Sequence, residues 1–295
     1  MKSRPLINMN QLATYKNGNY RVILFDDGTK IRVTKHDAFI PNHAENIDLK
    51  ITNYCDAGCR WCHEMSTVRG KHADLLTLPR FIAGQELAIG GGNPLDHPDL
   101  IEFLRRQKED GVICNITVNQ FHTEQPKYLD LLCRLVDDKL IYGIGVSLHT
   151  TVNKKLLDVL LLPNAILHVI NRVHSIDTIR MLYGENAKIL ILGYKDWGRG
   201  KSFDTLDGGL YDSLGEIMQN VSLVSFDNLA IEQLDPKRFL TESQWEEMYM
   251  GDDGKYTFYI DAVLGAYAKN STSPNRYSFI GMDVIEMFHH VRSMS

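Results

Sequence analysis

Asn46-Ile-Asp-Leu-Lys-Ile-Thr52-Asn-Tyr-Cys55-Asp-Ala-Gly-Cys59-Arg-Trp-Cys62-His63 begins as a strand and ends in a crowd of thiols. Its first seven residues read as a strand. Three cysteines then follow within eight residues, separated by three and two positions. That spacing lets one short loop turn three thiolates toward a common centre, and Gly58 permits a tight bend between them. Thiolates are soft ligands that suit iron–sulfur clusters and zinc. Three readings are open at this point. A cubane cluster would take three thiolates and leave one iron free. A structural zinc would use Cys55, Cys59, Cys62 and His63, although the adjacent Cys62 and His63 would have to turn sharply to reach one ion. Cys59-Arg-Trp-Cys62-His63 also spells the C-x-x-C-H pattern of c-type haem attachment, which normally needs an exported chain.

Working outward, strand-like runs alternate with helix-like ones. After Asn46 to Thr52 come Glu86 to Gly90, Val112 to Val118, Tyr142 to Leu148, Ala165 to Asn171 and Lys188 to Gly193. Between them lie helical patterns at Pro98 to Asp110, Lys127 to Asp138, Asn153 to Leu161 and Ile176 to Leu182. Pro98 is read as a first helical residue and Gly111 as the stop. Strands alternating with helices imply parallel pairing and right-handed crossovers, hence a barrel or a doubly wound sheet. Residues 1–40 read as a small β appendage, with Tyr20 to Phe25 and Lys30 to Val33 joined by Asp26-Asp27-Gly28-Thr29. Residues 41–235 form the core. Residues 236–295 form an extension with a helix capped by Thr241 and Gln244 and a hairpin around Leu264-Gly265. Leu206 to Asn220 is read as one helix and Val221 to Ser225 as a seventh strand.

The bulk composition narrows the function classes. The 295 residues carry a formal net charge of −5, with 44% apolar and 23% charged residues. This disfavours broad adhesion to nucleic acid or an anionic membrane. No apolar run is long enough to span a bilayer, and Met1 to Asn10 lacks the apolar stretch of a signal peptide, so a cytoplasmic protein is expected. Cys114 and Cys133 stand alone and are read as small buried apolar residues, not as parts of a disulfide framework.

The C-x3-C-x2-C spacing, with Trp61 before the third cysteine, resembles the radical S-adenosylmethionine (radical SAM) superfamily. Leu87-Ala-Ile-Gly90-Gly91-Gly92-Asn93-Pro94-Leu95 resembles that family's second motif, a strand ending in Gly-Gly-Glu-Pro. Ile116-Thr-Val-Asn119, Val146-Ser-Leu-His149, Val169-Ile-Asn171 and Ile191-Leu-Gly-Tyr194 resemble its later strand ends, in order. Every one of these segments falls at or just after a strand end, where parallel α/β folds bind their ligands. The fold expected is an α/β partial (β/α)6 TIM-like barrel with a small N-terminal β-hairpin and C-terminal additions.

The resemblance implies a [4Fe–4S] cluster on Cys55, Cys59 and Cys62, with S-adenosylmethionine chelating the open iron. Reductive cleavage then yields a 5′-deoxyadenosyl radical that abstracts hydrogen from a substrate. The protein positions and shields while the cofactors carry the chemistry. Gly91 and Gly92 would let backbone approach the methionine portion. Asn93 replaces the family's glutamate and loses its charge assistance. Trp61 would lie near the adenine, and Asn119, Ser147, His149, Asn171 and Tyr194 are further cofactor candidates. Flavodoxin or ferredoxin would be the kind of electron donor required. The basic, aromatic loop through Lys195 to Lys201 is read either as a substrate or cofactor contact or as a solvated surface loop. With no cysteine after Cys133, an auxiliary-cluster extension is not expected. The substrate class stays open among small molecules, nucleosides and peptide residues. A glycyl-radical activase and a zinc-stapled binding protein are the competing functions.

Overall fold

The structure is a computed structural model that describes residues 10–294; residues 1–9 of the expected N-terminal appendage lie outside the described residues. The appendage is a three-stranded antiparallel meander of β1 (Gln11–Asn17), β2 (Tyr20–Phe25) and β3 (Lys30–Val33). The sequence reading found only the second and third of these. The second sheet has ten strands. β4 (Asn46–Thr52), β5 (Glu86–Gly91), β6 (Ile113–Asn119), β7 (Gly143–Ser147), β8 (Ala165–Ile170), β9 (Lys188–Leu192) and β10 (Leu223–Phe226) follow one another in spatial order and pair in parallel. This is the expected barrel-like α/β arrangement, with the seventh strand also present.

The strands hold because their two faces differ. Ile47, Leu49 and Ile51 on β4, Leu87 and Ile89 on β5, and Ile144 and Val146 on β7 are all buried in one apolar core. Residues between them, such as Lys50, Thr117 and Ser147, face a cavity on the other side of the sheet. Period-two alternation therefore sends the aliphatic set toward the covering helices and the polar set toward the lumen. Among those helices are Leu100–Glu109 and Pro126–Asp137. The first begins after Asp99 rather than at Pro98, which lies outside it. The helix expected from Leu206 shrinks to Leu214–Asn220, because Gly208 and Gly209 both take left-handed backbone angles, with φ of 67° and 56°.

The C-terminal extension enters the same sheet. β11 (Thr257–Asp261) pairs in parallel with β4, so that Tyr259 lies opposite Asp48 and Asp261 opposite Lys50. β12 (Ala266–Ala268) and β13 (Tyr277–Ser278) follow antiparallel at the edge. A last helix, Val284–Ser293, starts in an Asp283–Glu286 capping box and buries Met287, Phe288 and Val291. The capping box was readable in the sequence, but the helix was not anticipated. Among the described residues, no helix is long and apolar enough to cross a membrane.

One buried ion cluster ties these parts together. The Lys50 ammonium lies 2.5 Å from Glu64 and 3.0 Å from Asp261, and all three side chains are largely buried. Burial alone would raise Glu64, but hydrogen bonds and charge from His63 and Lys50 hold it well below the usual carboxylate range. Removing the shared cation leaves two buried carboxylates without their partner, which typically costs about 3–5 kcal/mol. Lys50→Met is therefore expected to lower unfolding free energy by about that amount in urea denaturation. A loss under about 1 kcal/mol would show that the cluster does not brace the fold.

Candidate cofactor site

The cysteine loop is fixed before any cofactor enters. Its two ends are zipped by backbone bonds, from Asn53 N to Lys71 O at 2.8 Å and from Cys55 N to Thr67 O at 3.0 Å. Arg199 clamps its middle. The guanidinium donates to Cys59 O at 2.9 Å and to Ser66 O at 3.0 Å, and the Arg199 amide donates to Cys62 O at 3.1 Å. Gly198, at φ 57°, lies so close that an added Cβ would come within 2.5 Å of His63 O. The basic loop after β9 thus has a definite role: it braces the cysteine loop, while Trp197 remains exposed.

Cys55, Cys59 and Cys62 are free, partly buried and line one cavity. Burial pushes the Cys59 thiol up to about 12, and the neighbouring Cys62 and Cys55 sulfurs push it further in the same direction. Cys55 is raised likewise, first by burial. Three crowded thiols in a poorly solvated site resist ionisation unless a cation compensates them, which is what metal binding does. Among the described residues, no three His, Cys, Asp or Glu side chains are drawn together around a single-ion site. Three soft thiol donors lining one cavity are a donor set that suits a metal–sulfur group.

The glycine turn closes over the same loop. Gly92 N donates to Thr52 O at 2.7 Å and Asn93 N to Tyr54 O at 2.6 Å. A Cβ on Gly92 would fall 2.1 Å from Tyr54 O, and one on Gly91, at φ 111°, would fall 2.4 Å from Thr52 O. Both glycines line the cavity, and both are required by contact with the chain's own backbone. Asn93 is fully buried and does not face the cavity. Its side chain caps Leu95 N at 3.3 Å and donates to Asp96 at 2.8 Å.

The other candidates divide. Trp61, Asn119, Ser147 and Tyr194 line the cavity beside the cysteines. Asn119 Nδ2 and His149 Nδ1 approach the Cys59 sulfur at 3.5 and 3.4 Å. Asn171 is turned away into a structural role: its Oδ1 accepts from Leu210 N at 2.9 Å and its Nδ2 donates to Gln233 at 3.0 Å. Cys114 is buried as expected, and Cys133 is partly buried.

The cavity measures about 280 Å³ and extends from the cysteines into the lumen. Asp48, His168 and Lys195 line it, and the first two are not among the residues that the sequence motifs point to. The signal was available in β4, where Asp48 and Lys50 interrupt an aliphatic run at lumen-facing spacing. Asp48 is exposed to the cavity, with protein on all sides of that cavity's inner end. Burial raises it to about 6, Lys195 lowers it, and Asp253 and Asp227 raise it further. Burial pushes His168 down to about 4.

No protein-family model matches the chain, and no curated protein matches it either. Solved structures do. One of Streptococcus suis SuiB bound to S-adenosylmethionine superposes with a TM-score of 0.56 at 15% identity, over 86% of this chain and 69% of that one. SuiB bound to its precursor peptide SuiA gives a TM-score of 0.57 at 14% identity, over 86% and 67%. SuiB alone gives 0.55 at 15%, over 86% and 69%. At this identity the likeness establishes a shared fold.

The tight glycine contact is directly testable. Gly92→Ala forces Tyr54 to move and is expected to cost about 1–3 kcal/mol, the usual penalty of overpacking. Chemical denaturation of the variant checks this, and an unchanged midpoint would contradict the contact.

Proposed function

We propose that the chain is a radical SAM enzyme, with a [4Fe–4S] cluster on Cys55, Cys59 and Cys62 and S-adenosylmethionine beside it. The observation that carries this reading is the convergence of three free cysteines and the Gly91–Gly92 turn on one cavity at the C-terminal ends of parallel strands. Ligand sites of such sheets lie at that end. Bound there, cluster and S-adenosylmethionine together supply a reductively generated 5′-deoxyadenosyl radical for hydrogen abstraction.

The chain's own residues hold, orient and shield. Arg199 fixes the carbonyls of Cys59 and Ser66, so the loop's thiols keep one orientation. Asn119 presents an N–H to the Cys59 sulfur, and His149 would do so through Nδ1 in the tautomer protonated there; both would stabilise the reduced form of the ligated group, as hydrogen bonds to cluster sulfurs do. Ser147, Trp61 and Tyr194 line the wall available to S-adenosylmethionine. An external one-electron donor of the flavodoxin or ferredoxin kind is required, and a cytoplasmic setting suits the free thiols. The fold shared with SuiB, which is known bound to S-adenosylmethionine and to a precursor peptide, supports both the cofactor and a peptide as substrate.

Cys59→Ala is expected to abolish both iron incorporation and formation of 5′-deoxyadenosine from S-adenosylmethionine after anaerobic reconstitution. Cleavage retained in that variant would refute the ligand assignment. His149→Phe should keep the iron but shift the cluster's midpoint potential to a more negative value in an EPR-monitored redox titration. An unshifted potential would remove His149 from this role.

A further inference from the structure

The inner half of the cavity holds two polar side chains outside the proposed cofactor site. Asp48 lies four residues before the rim end of β4, about 13 Å deeper at roughly 3.3 Å per residue. Its carboxylate faces the cavity and has no hydrogen-bond or ion-pair partner among the described residues. His168 faces the same cavity from β8, a strand four places along the curled sheet. Its ring lies across Gly145, where an added Cβ would come within 2.3 Å of it, and it too has no side-chain partner among the described residues. Asp48 is exposed to the cavity and His168 is largely buried beside it, so both are reachable by a molecule that enters. Two bare groups turned into one void have the composition of a ligand pocket.

The surrounding charges select the sign of that ligand. Lys50 is already taken by Glu64 and Asp261. Lys195, the cation acting on Asp48, is held 2.8 Å from Ser271 and 3.5 Å from His63, and forms no ion pair among the described residues. Asp227 and Asp253 add their fields to that of Asp48. Asp227 is pinned by Gly193 N and Ala230 N at 2.8 and 2.7 Å, and Asp253 by Asn228 and Asn270 at 2.6 and 2.7 Å. Three carboxylates against one ammonium leave the inner cavity electronegative.

We propose that Asp48 and His168 form a specificity pocket for a protonated amine or guanidinium on the substrate, with Asp48 as its ion-pair partner and His168 as a hydrogen-bond acceptor. The assignment rests on the radical SAM reading in taking the inner cavity as the substrate side. Burial keeps the His168 ring neutral at physiological pH, so it can accept without adding positive charge. A bound cation would supply Asp48 with the opposite charge that its surroundings withhold.

The test uses three probes of one size: n-butylammonium, n-butanol and butyrate. Each is titrated calorimetrically into the full-length protein, as isolated and after anaerobic reconstitution. The wild type is expected to bind n-butylammonium about tenfold more tightly than either other probe, a difference of about 1.4 kcal/mol. Asp48→Asn is expected to erase that preference. The variant should also unfold at a higher temperature than the wild type above pH 6. A carboxyl raised on folding from 3.8 to about 6 destabilises the fold once it ionises, so the gap opens as pH rises through that window and closes by about pH 4. A carboxylate that merely braced the fold would show the opposite, a loss of melting temperature on substitution. Butyrate bound as well as n-butylammonium by the wild type overturns the proposal, and so does an unchanged preference in Asp48→Asn. The wild-type comparison holds even if the variant fails to fold. Failure of reconstituted wild type to form 5′-deoxyadenosine would remove the radical reading and leave the amine result standing. Amine failure with 5′-deoxyadenosine formed would remove only the Asp48 assignment.

Discussion

Lys50 is the point on which the rest of the molecule turns. Its ammonium joins three stretches far apart in sequence: β4, on which it sits; Glu64, two residues past Cys62; and Asp261, on β11. A buried ion pair is an uncertain source of net stability, since desolvation offsets much of its attraction. Its firmer contribution is positional. With Lys50 in place, the cysteine loop cannot drift from the end of β4, and β11 is held to the β4 edge by charge as well as by its ladder of backbone bonds.

Around that anchor, the cysteine loop is immobilised by backbone contacts more than by side-chain packing. The turn at Gly91 and Gly92 rests on the carbonyls of Thr52 and Tyr54, and Gly198 rests on that of His63. Arg199 then takes two further carbonyls. A loop held this way presents its thiols in a fixed direction without spending them on structure. Preorganisation of that kind is what a ligand site on a rigid scaffold requires.

Much of this was legible in the sequence, because the cues were local. The 46–52 strand, the strand–helix alternation and the cysteine spacing each depend on residues close together, and they gave the barrel-like fold and the wall that carries Cys55, Cys59 and Cys62. Failures came where distant segments decide. Nothing near Thr257–Asp261 indicates that it pairs with β4, some two hundred residues earlier. Asn171 is engaged by Leu210 N and Gln233, both far along the chain, whereas the cap that Asn93 makes on Leu95 N is local. Arg199 sits in a loop whose role is set by where the cysteine loop comes to rest. Asp48 is visible as a charge between aliphatic residues, yet only the curled sheet shows that it faces a cavity without a partner.

On this reading the three thiols hold an iron–sulfur cluster that engages S-adenosylmethionine. The most direct measurement is iron and sulfide analysis of the anaerobically reconstituted wild-type protein, with EPR of the reduced sample before and after adding S-adenosylmethionine. About four irons per chain are expected, with a signal that changes when S-adenosylmethionine is added. A single tightly bound zinc, with no iron taken up and no spectral response, would contradict it.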